Sequence, residues 1–375
     1  MAEPAYVIGA GRTDFKRNFR KEGKTLRHII VESARAAVAD AGIEPREIQS
    51  GVVGNFAGGL FTRQLHLGAF LTEVTGTGIP TLHTEAACAS GSVAVLTAAQ
   101  QIMAGLHDVV LVVGAEQQKT MPPAEGSDVL GAAADYHAEK PVYGDFMFPK
   151  LFASIAQTYL QRYRRSERDL AAVAEKNYRH AKLNPLAQMR DATFPPADDP
   201  CVAPPLTVSH CSQITDGGAA LVLCSKRFLG SQPAIRLVGY GHTTDQLPLA
   251  GKDIPDFPVA RRAVEQAYKM AGIGPRDVQG ADVHDCFSIS EIIATELLGF
   301  AGPGKGAALE FVNPGGGLIG DGHPVGATGV RQVVEAYAHL TGRAGERQIA
   351  GARRYLTFNI GGTYTTNVCM IWGND

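Results

Sequence analysis

The sequence contains no CxxC pair. Its six cysteines, at 88, 201, 211, 224, 286 and 369, are scattered through 375 residues. That spacing gives neither a zinc ribbon nor a disulfide framework, and unpaired thiols suit a reducing compartment. Charge is sparse as well. Charged residues make up 19 % of the chain, the net charge is −2, and no basic stripe or like-charged block occurs. This argues against nucleic acid as a partner. No uncharged apolar run approaches the roughly 20 residues that span a membrane. Met1-Ala2-Glu3-Pro4 leads straight into Ala5-Tyr6-Val7-Ile8-Gly9 without a signal-peptide pattern. Trp372-Gly373-Asn374-Asp375 carries no peroxisomal or lipidation signal. These absences give the expectation of a cytoplasmic protein with no membrane partner.

What the chain has in quantity is apolar residues (45 %) and glycine (43 residues). That is enough for a large core, and the length suggests two domains or more. Strand and helix signals alternate, which predicts an α/β protein. Strands are expected at 6–9, 51–56, 80–84, 109–115 and 219–224, and helices at 26–41, 64–74 and 92–104. After Ser231-Gln232-Pro233, read as a linker, the series restarts. The second series has strands at 235–240, around Val283, at 355–359 and at 366–372, and helices at 259–271, 289–298 and 330–340. The restart is also a repeat. Residues 41–49, AGIEPREIQ, match 271–279, AGIGPRDVQ, at six of nine positions. We read a duplicated domain, with residues 1–230 and 231–375 as the two halves. Between about 117 and 205 the rhythm breaks. A polar, Pro-bearing stretch (121–141) precedes a helical segment (148–165) and a second helix opened by Ser166-Glu167-Arg168-Asp169, a capping-box pattern. An insertion of this kind covers ligands.

Three stretches carry chemistry. Cys88 lies in Glu85-Ala86-Ala87-Cys88-Ala89-Ser90-Gly91, between a strand and a helix. The helix end favours thiolate over thiol, and the small neighbours leave room for a substrate. His284-Asp285-Cys286-Phe287 supplies a second thiol and an imidazole at the end of a short strand. His323 lies in the glycine-rich turn Gly322-His323-Pro324-Val325-Gly326-Ala327-Thr328-Gly329, where Pro324 restricts its backbone. Two thiols and two imidazoles are the inventory for thiolate-based acyl transfer. The other cysteines fit no such pattern, and Cys224 and Cys369 read as core. Val7-Ile8-Gly9-Ala10-Gly11-Arg12 has the start of a dinucleotide loop, but Asp14 stands in place of the third glycine. Arg162, Arg164 and Arg165 read as a solvated helix face.

In order and spacing these motifs resemble the thiolase superfamily, and most closely the sterol-carrier-protein-2-type thiolases with their bacterial and archaeal relatives. Asp216-Gly217-Gly218-Ala219, Lys176-Asn177 and Asn184-Pro185 resemble segments of the same group. The likeness covers nearly the whole chain. It implies two βαβαβ-type halves in a five-layer αβαβα sandwich, with a loop domain inserted in the first. It implies thiolytic cleavage of 3-oxoacyl-CoA to acyl-CoA and acetyl-CoA, or Claisen condensation in reverse, through an acyl-cysteine. Cys88 would be the nucleophile and His323 its base. Many thiolases carry their second cysteine in a Cys-x-Gly motif near the carboxyl end. Asn359-Ile360-Gly361-Gly362 stands there instead, so the acid/base role passes to Cys286. One oxyanion hole would use His284 and His323, the other the backbone N–H groups of Cys88 and Gly361. Coenzyme A would be a substrate, with no permanently bound cofactor and no metal. A homodimer or larger assembly, pairing through strand 80–84, is implied, and a small zinc-ribbon/OB-fold partner protein is allowed. Two other readings stay open: a retro-aldolase acting on 3-hydroxyacyl-CoA, and a non-catalytic acyl-CoA-binding subunit. The residues that would bind the rest of the substrate are not legible.

Overall fold

The first series of apolar segments supplies strands β1 (Ala5–Arg12), β2 (Ser50–Gly54), β3 (Thr81–Thr84) and β4 (Val109–Glu116). They alternate with helices α1 (Leu26–Ala41), the short α2 (Gly58–Phe61) and α3 (Thr72–Thr75), and α4 (Ser90–Met103). These coordinates are a computed structural model that describes residues 3–374. Met1, Ala2 and Asp375, part of the terminal readings above, lie outside the described residues. Next come α5 (Pro123–Gly131), α6 (Tyr136–Tyr143), α7 (Met147–Tyr163), α8 (Glu167–Ala181), a small hairpin of β5 (Cys201–Ala203) and β6 (Leu206–Thr207), and β7 (Gly217–Ser225). The second series runs β8 (Ile235–Thr244), α9 (Pro258–Ala271), β9 (Gly280–Val283), α10 (Ser288–Leu297), α11 (Gly317–Asp321), α12 (Thr328–Leu340), β10 (Arg354–Gly361) and β11 (Thr366–Gly373).

The nine long strands are ordered β3-β2-β4-β7-β1-β8-β11-β10-β9. β2 runs parallel to β3 and β4, and β10 runs parallel to β9; the other pairs are antiparallel. Only Tyr6↔Arg236 and Val7↔Ile235 join β1 to β8. The sheet is therefore two sub-sheets with a narrow seam. β4 and β7 are buried at every position, as expected of strands covered on both faces. Outside the first sub-sheet, α1 packs Ile30, Ala34 and Val38 against Ile8, Val113 and Val222. Between the sub-sheets lie α4 and α12, where Val95, Ile102, Val330 and Val333 meet Val112, Val368 and Trp372. Outside the second, α9 and α10 pack Val264 and Ile293 against Phe358 and Ile371, and α7 adds Phe152 and Ile155. The result is the five-layer αβαβα order. Each large side chain so buried contributes about 1.5–3 kcal/mol.

The repeated nonapeptide has a physical reading. In both copies a glycine with left-handed φ, Gly42 and Gly272, ends a helix. A proline-led 3₁₀ turn follows, and then a buried strand. The capping box at α8 forms, with the Ser166 N–H donating to Asp169 Oδ2 at 3.2 Å. One expectation is corrected. The stretch 64–74 is not one helix: it holds a 3₁₀ turn (Leu67–Leu71) that runs into α3, with His66 at left-handed φ just before it. The stretch 121–141 holds helices α5 and α6. Pro123 is tolerated in the first turn of α5, and Asp135 caps α6 by accepting the Ala138 N–H at 3.1 Å. Their polar composition suits a half-exposed cover.

The turn before α12 touches the first sub-sheet backbone to backbone. A β-carbon on Gly326 would stand 2.6 Å from the Ala115 carbonyl oxygen and 2.7 Å from Asn55 Cα. Gly326→Ala should therefore force the two sub-sheets apart. We expect a loss of about 1–3 kcal/mol by urea denaturation, and an unchanged midpoint would contradict this packing.

Candidate active site

β3 ends at Thr84, and the chain turns once before α4 begins at Ser90. Ser90 ties that turn: its Oγ donates to the Ala87 carbonyl at 2.6 Å and accepts the Ala86 N–H at 2.9 Å. Ala87 is held at φ 51°, a left-handed conformation that costs a non-glycine residue about 1–3 kcal/mol. The strain presents Cys88 at the amino end of α4, with alanines on both sides. The second series brings the other groups. His284 and Cys286 follow the end of β9, and His323 follows α11. Cys88 Sγ and one ring nitrogen from each of His284 and His323 lie within 4.8 Å of one another. The two imidazole rings meet edge to face at 5.0 Å. Cys286 lies on the same cavity wall as Cys88 and His323, with its sulfur 3.8 Å from Ser290 Oγ.

Hydrogen bonds define what each imidazole can do. Thr328 Oγ1 donates to the Pro324 carbonyl at 3.0 Å, so toward His323 Nδ1, 2.7 Å away, it acts as acceptor. His323 Nδ1 then carries the proton and Nε2 keeps a free lone pair, the form a general base needs. His323 is fixed further by its backbone N–H, which donates to Thr215 Oγ1 at 3.0 Å. His284 is set the opposite way. Its Nδ1 accepts from Asn359 Nδ2 at 2.8 Å, which leaves Nε2–H as a donor. One ring is prepared to take a proton and the other to stabilise an oxygen.

Electrostatics works against the expectation of a resting thiolate. Burial pushes the Cys88 thiol up to about 12, and the backbone N–H groups of Gly362 and of Cys88 itself only partly offset it. Burial also holds His323 down to about 3, aided by the nearby Arg331 cation. His284 is depressed well below the usual imidazole range by burial, His323 and Arg331. Cys286 is raised well above the usual thiol range by burial and by the neighbouring Cys88. Desolvation outweighs the helix end. Burial thus disfavours the anionic form of both thiols and the cationic form of both imidazoles.

Some contributors, Gly362, Cys211 and Glu116 among them, were not singled out from the sequence, and others lie in segments named there. Gly361 ends β10, but the N–H that reaches Cys88 is that of Gly362. Cys211 lines the same cavity as Cys88 and Cys286, donating its S–H to the Thr207 carbonyl at 3.2 Å. Glu116, fully buried at the end of β4, accepts the N–H groups of Phe56 at 2.9 Å and Gly326 at 3.0 Å. Asp285 accepts the N–H groups of Leu318 at 2.6 Å and Ile319 at 3.2 Å, and Asn177 Nδ2 at 2.7 Å. Lys176 and Asn177 both bond Glu291, which fixes α8 to α10. Asp216 accepts the N–H groups of Gln118 and Lys119 at 2.8 and 2.7 Å, and Asn184 donates to the Gly315 carbonyl at 3.0 Å. Away from the site, Cys224 and Cys369 are buried in strands and Cys201 is exposed. Arg162 pairs with Asp256 at 2.8 Å. Residues 7–12 are a strand, with Arg12 bonded to Asp321 at 2.7 Å. A thiolate with two imidazoles also suits zinc, and Cys88, His284 and His323 are the residues that would hold it.

The cavity in front of Cys88 measures about 230 Å³ and is covered by α5, α7 and the loop between β6 and β7. Residues 5–196 match the family description "Thiolase, N-terminal domain", and residues 241–374 match "Thiolase C-terminal domain-like". The acetyl-CoA acetyltransferase of Methanothermobacter thermautotrophicus is 34% identical over 384 residues, covering 98% of this chain and 98% of that protein. Sterol carrier protein 2 of Bos taurus is 31% identical, over 95% of this chain and 70% of its own length. Among solved structures, the Ltp2-ChsH2(DUF35) aldolase superposes with a TM-score of 0.83 at 24% identity, over 99% of this chain and 98% of that one. At that identity the likeness concerns the fold.

The raised Cys88 thiol has a measurable consequence. Below a thiol pKa of about 12, the thiolate fraction rises about tenfold per pH unit. In a Cys201→Ser background, which removes the exposed competitor, alkylation of Cys88 by iodoacetamide should keep accelerating from about pH 7 to pH 10. Mass spectrometry gives the rate at this residue. A plateau below about pH 8 would instead show a preformed thiolate–imidazolium pair.

Proposed function

The chain belongs to the thiolase family, and from that premise we propose that Cys88, His323, Cys286 and His284 carry its acyl transfer. The protein is an acyltransferase of the thiolase class. Its reaction is the reversible cleavage of a 3-oxoacyl-CoA by CoA to give acyl-CoA and acetyl-CoA. The observation that carries the assignment is the close approach of Cys88 Sγ to two imidazoles in opposite tautomers, with a second thiol on the same cavity wall.

In the cleavage direction, His323 Nε2 takes the Cys88 proton as the sulfur attacks C3 of the substrate. The N–H groups of Cys88 and Gly362 hold the oxyanion that forms; Gly362 takes the place that Gly361 held in the sequence reading. Collapse breaks the C2–C3 bond. The thioester oxygen of the leaving acetyl-CoA enolate is held by His284 Nε2–H and by the protonated His323. Cys286, kept protonated by burial, delivers its proton to C2, and acetyl-CoA departs. The Cys286 thiolate then deprotonates an incoming CoA thiol, which attacks the acyl-Cys88 thioester. Cys88 leaves as thiolate and recovers its proton from His323. Loss of one oxyanion donor from such a site raises the barrier by about 3 kcal/mol. Condensation is the same path reversed. Retro-aldol cleavage needs no acyl-cysteine, and a non-catalytic subunit needs no paired base. A thioester trapped on Cys88 separates this reading from both.

The proposal extends to assembly and place. β3 is an edge strand paired only with β2, and Leu82 on it is 50% exposed. A twofold pairing of two such edges would satisfy both, making the active form a homodimer or a multiple of it. The unpaired cysteines support a cytoplasmic location. No helix among the described residues is long and apolar enough to cross a membrane. A small partner protein of the kind the resemblance allows is compatible with this scheme.

Cys88→Ala should abolish turnover and acyl-enzyme formation while leaving the circular dichroism spectrum intact; full activity would remove the mechanism. Cys286→Ala should still become acylated on Cys88 but turn over about 10²–10⁴-fold more slowly, read by intact-mass and steady-state assays. Leu82→Pro, which removes a strand donor, should shift light scattering toward monomer and lower activity in parallel. A fully active monomer would refute the dimer.

A further inference from the structure

The chamber in front of Cys88 is built to receive more than a two-carbon acyl group. Besides the catalytic groups it is lined by Phe56, Leu130, Phe146, Phe148, Val202 and Phe287. No Asp, Glu, Lys or Arg is among the described residues lining it. Two of these lining rings, Phe148 and Phe287, join the buried Phe152 in a ladder of near-parallel rings. Phe148 and Phe152 lie 6.3 Å apart at 26°, and Phe152 and Phe287 lie 4.5 Å apart at 23°. Phe287 directly follows Cys286, so the chain segment that presents the acid/base thiol also presents the innermost ring.

Size points the same way. An apolar cavity of about 150 Å³ holds a benzene molecule. The chamber, at about 230 Å³, has room for a ring beside the reacting carbonyl. A charged acyl group would lose its hydration and find no counter-ion, which disfavours it. Phe146 marks the rim. It lines the chamber, is 43% exposed, and sits at φ 54° at the start of α7. A bulky residue in the left-handed region is an outlier, and strain of that kind collects at ligand clamps.

Resting on the thiolase reading above, we propose that this protein acts on 3-oxoacyl-CoA esters whose acyl group is an uncharged single aryl ring, with Phe146 closing over that ring as a specificity residue. The ring stacks along the phenylalanine wall, a contact worth about 2- to 10-fold beyond its size. An acetyl group leaves that wall wet.

The test compares kcat/KM for 3-oxo-3-phenylpropanoyl-CoA, acetoacetyl-CoA and 3-oxoadipyl-CoA. We expect the aryl ester to exceed acetoacetyl-CoA by at least about tenfold, within the range by which apolar pockets discriminate. The carboxylated ester should be the poorest. Phe146→Gly, which relieves the left-handed strain, should keep its melting temperature while the aryl-to-acetoacetyl ratio falls toward one. Val202→Trp, which fills the chamber, should lower the same ratio, so the test survives if either variant fails to fold. A parallel arm is independent of turnover. Calorimetry on Cys88→Ala should show benzoyl-CoA bound at least about tenfold more tightly than acetyl-CoA. Cleavage of acetoacetyl-CoA with no aryl preference in either arm overturns this inference and leaves the thiolase reading standing. An aryl preference in calorimetry without cleavage of any ester upholds the chamber and overturns the thiolase reading.

Discussion

The structure depends on one close contact, the turn around Gly326 pressed against the ends of β2, β4 and α4. Cys88 comes from the first series of strands, and His323, Cys286 and His284 come from the second. The seam between β1 and β8 is too narrow to hold these in register. What holds them is backbone lying on backbone. The Gly326 carbonyl would meet a β-carbon on Gly91 at 2.6 Å and one on Gly114 at 2.4 Å. Glu116 then stitches the contact by accepting N–H groups from both sides. Burial raises that carboxyl to about 7, yet its four donors, including Asn55 Nδ2 at 2.8 Å, keep it fully engaged.

Beneath this contact lies a group of buried charges. Arg331, fully buried on α12, bonds Asp282 and lies 3.6 Å from Asp321. Asp321 in turn binds Arg12 of β1 at 2.7 Å, and Glu335 binds Arg347 at 2.6 Å. Breaking such a pair from one side leaves an uncompensated charge at a cost of about 3–5 kcal/mol. The group also reaches the site. The Arg331 cation is among the causes that keep both His284 and His323 unprotonated. The structural core and the protonation of the two imidazoles are therefore one electrostatic problem.

Much of this was legible in the residues. Alternating apolar runs located the strands of both sub-sheets, and the repeated nonapeptide marked equivalent helix ends at Gly42 and Gly272. The motifs around Cys88, Cys286 and His323 named groups that the fold gathers at one cavity. The groups that orient them were not legible. Thr328 and Asn359 act through distance and angle to an imidazole, and no spacing rule announces that. The N–H that reaches the Cys88 sulfur is that of Gly362, one residue past the end of β10, and such an offset has no signal in the sequence. Cys211 reaches the cavity through an irregular loop with no periodicity to read. Burial works against the thiolate expectation: a helix end is visible in sequence, whereas the desolvation of the sulfur is a property of the whole molecule. The helices α5 and α6 were hidden by composition, since a cover with one wet face needs few apolar residues.

The middle layer has a consequence beyond stability. The surfaces of α4 and α12 carry Ala94, Ala98, Ala99 and Ala336, and Gly329 faces Ser92 where the helices start, with room for no β-carbon at all. This layer is a spacer gauged in single methyl groups, and Cys88 and His323 stand ahead of the amino ends of its two helices. A proton crosses between them only over hydrogen-bond range. Sequence drift along these helices is thus bounded more narrowly than core volume alone would require. An added methyl that the core could absorb would still lengthen the proton's path.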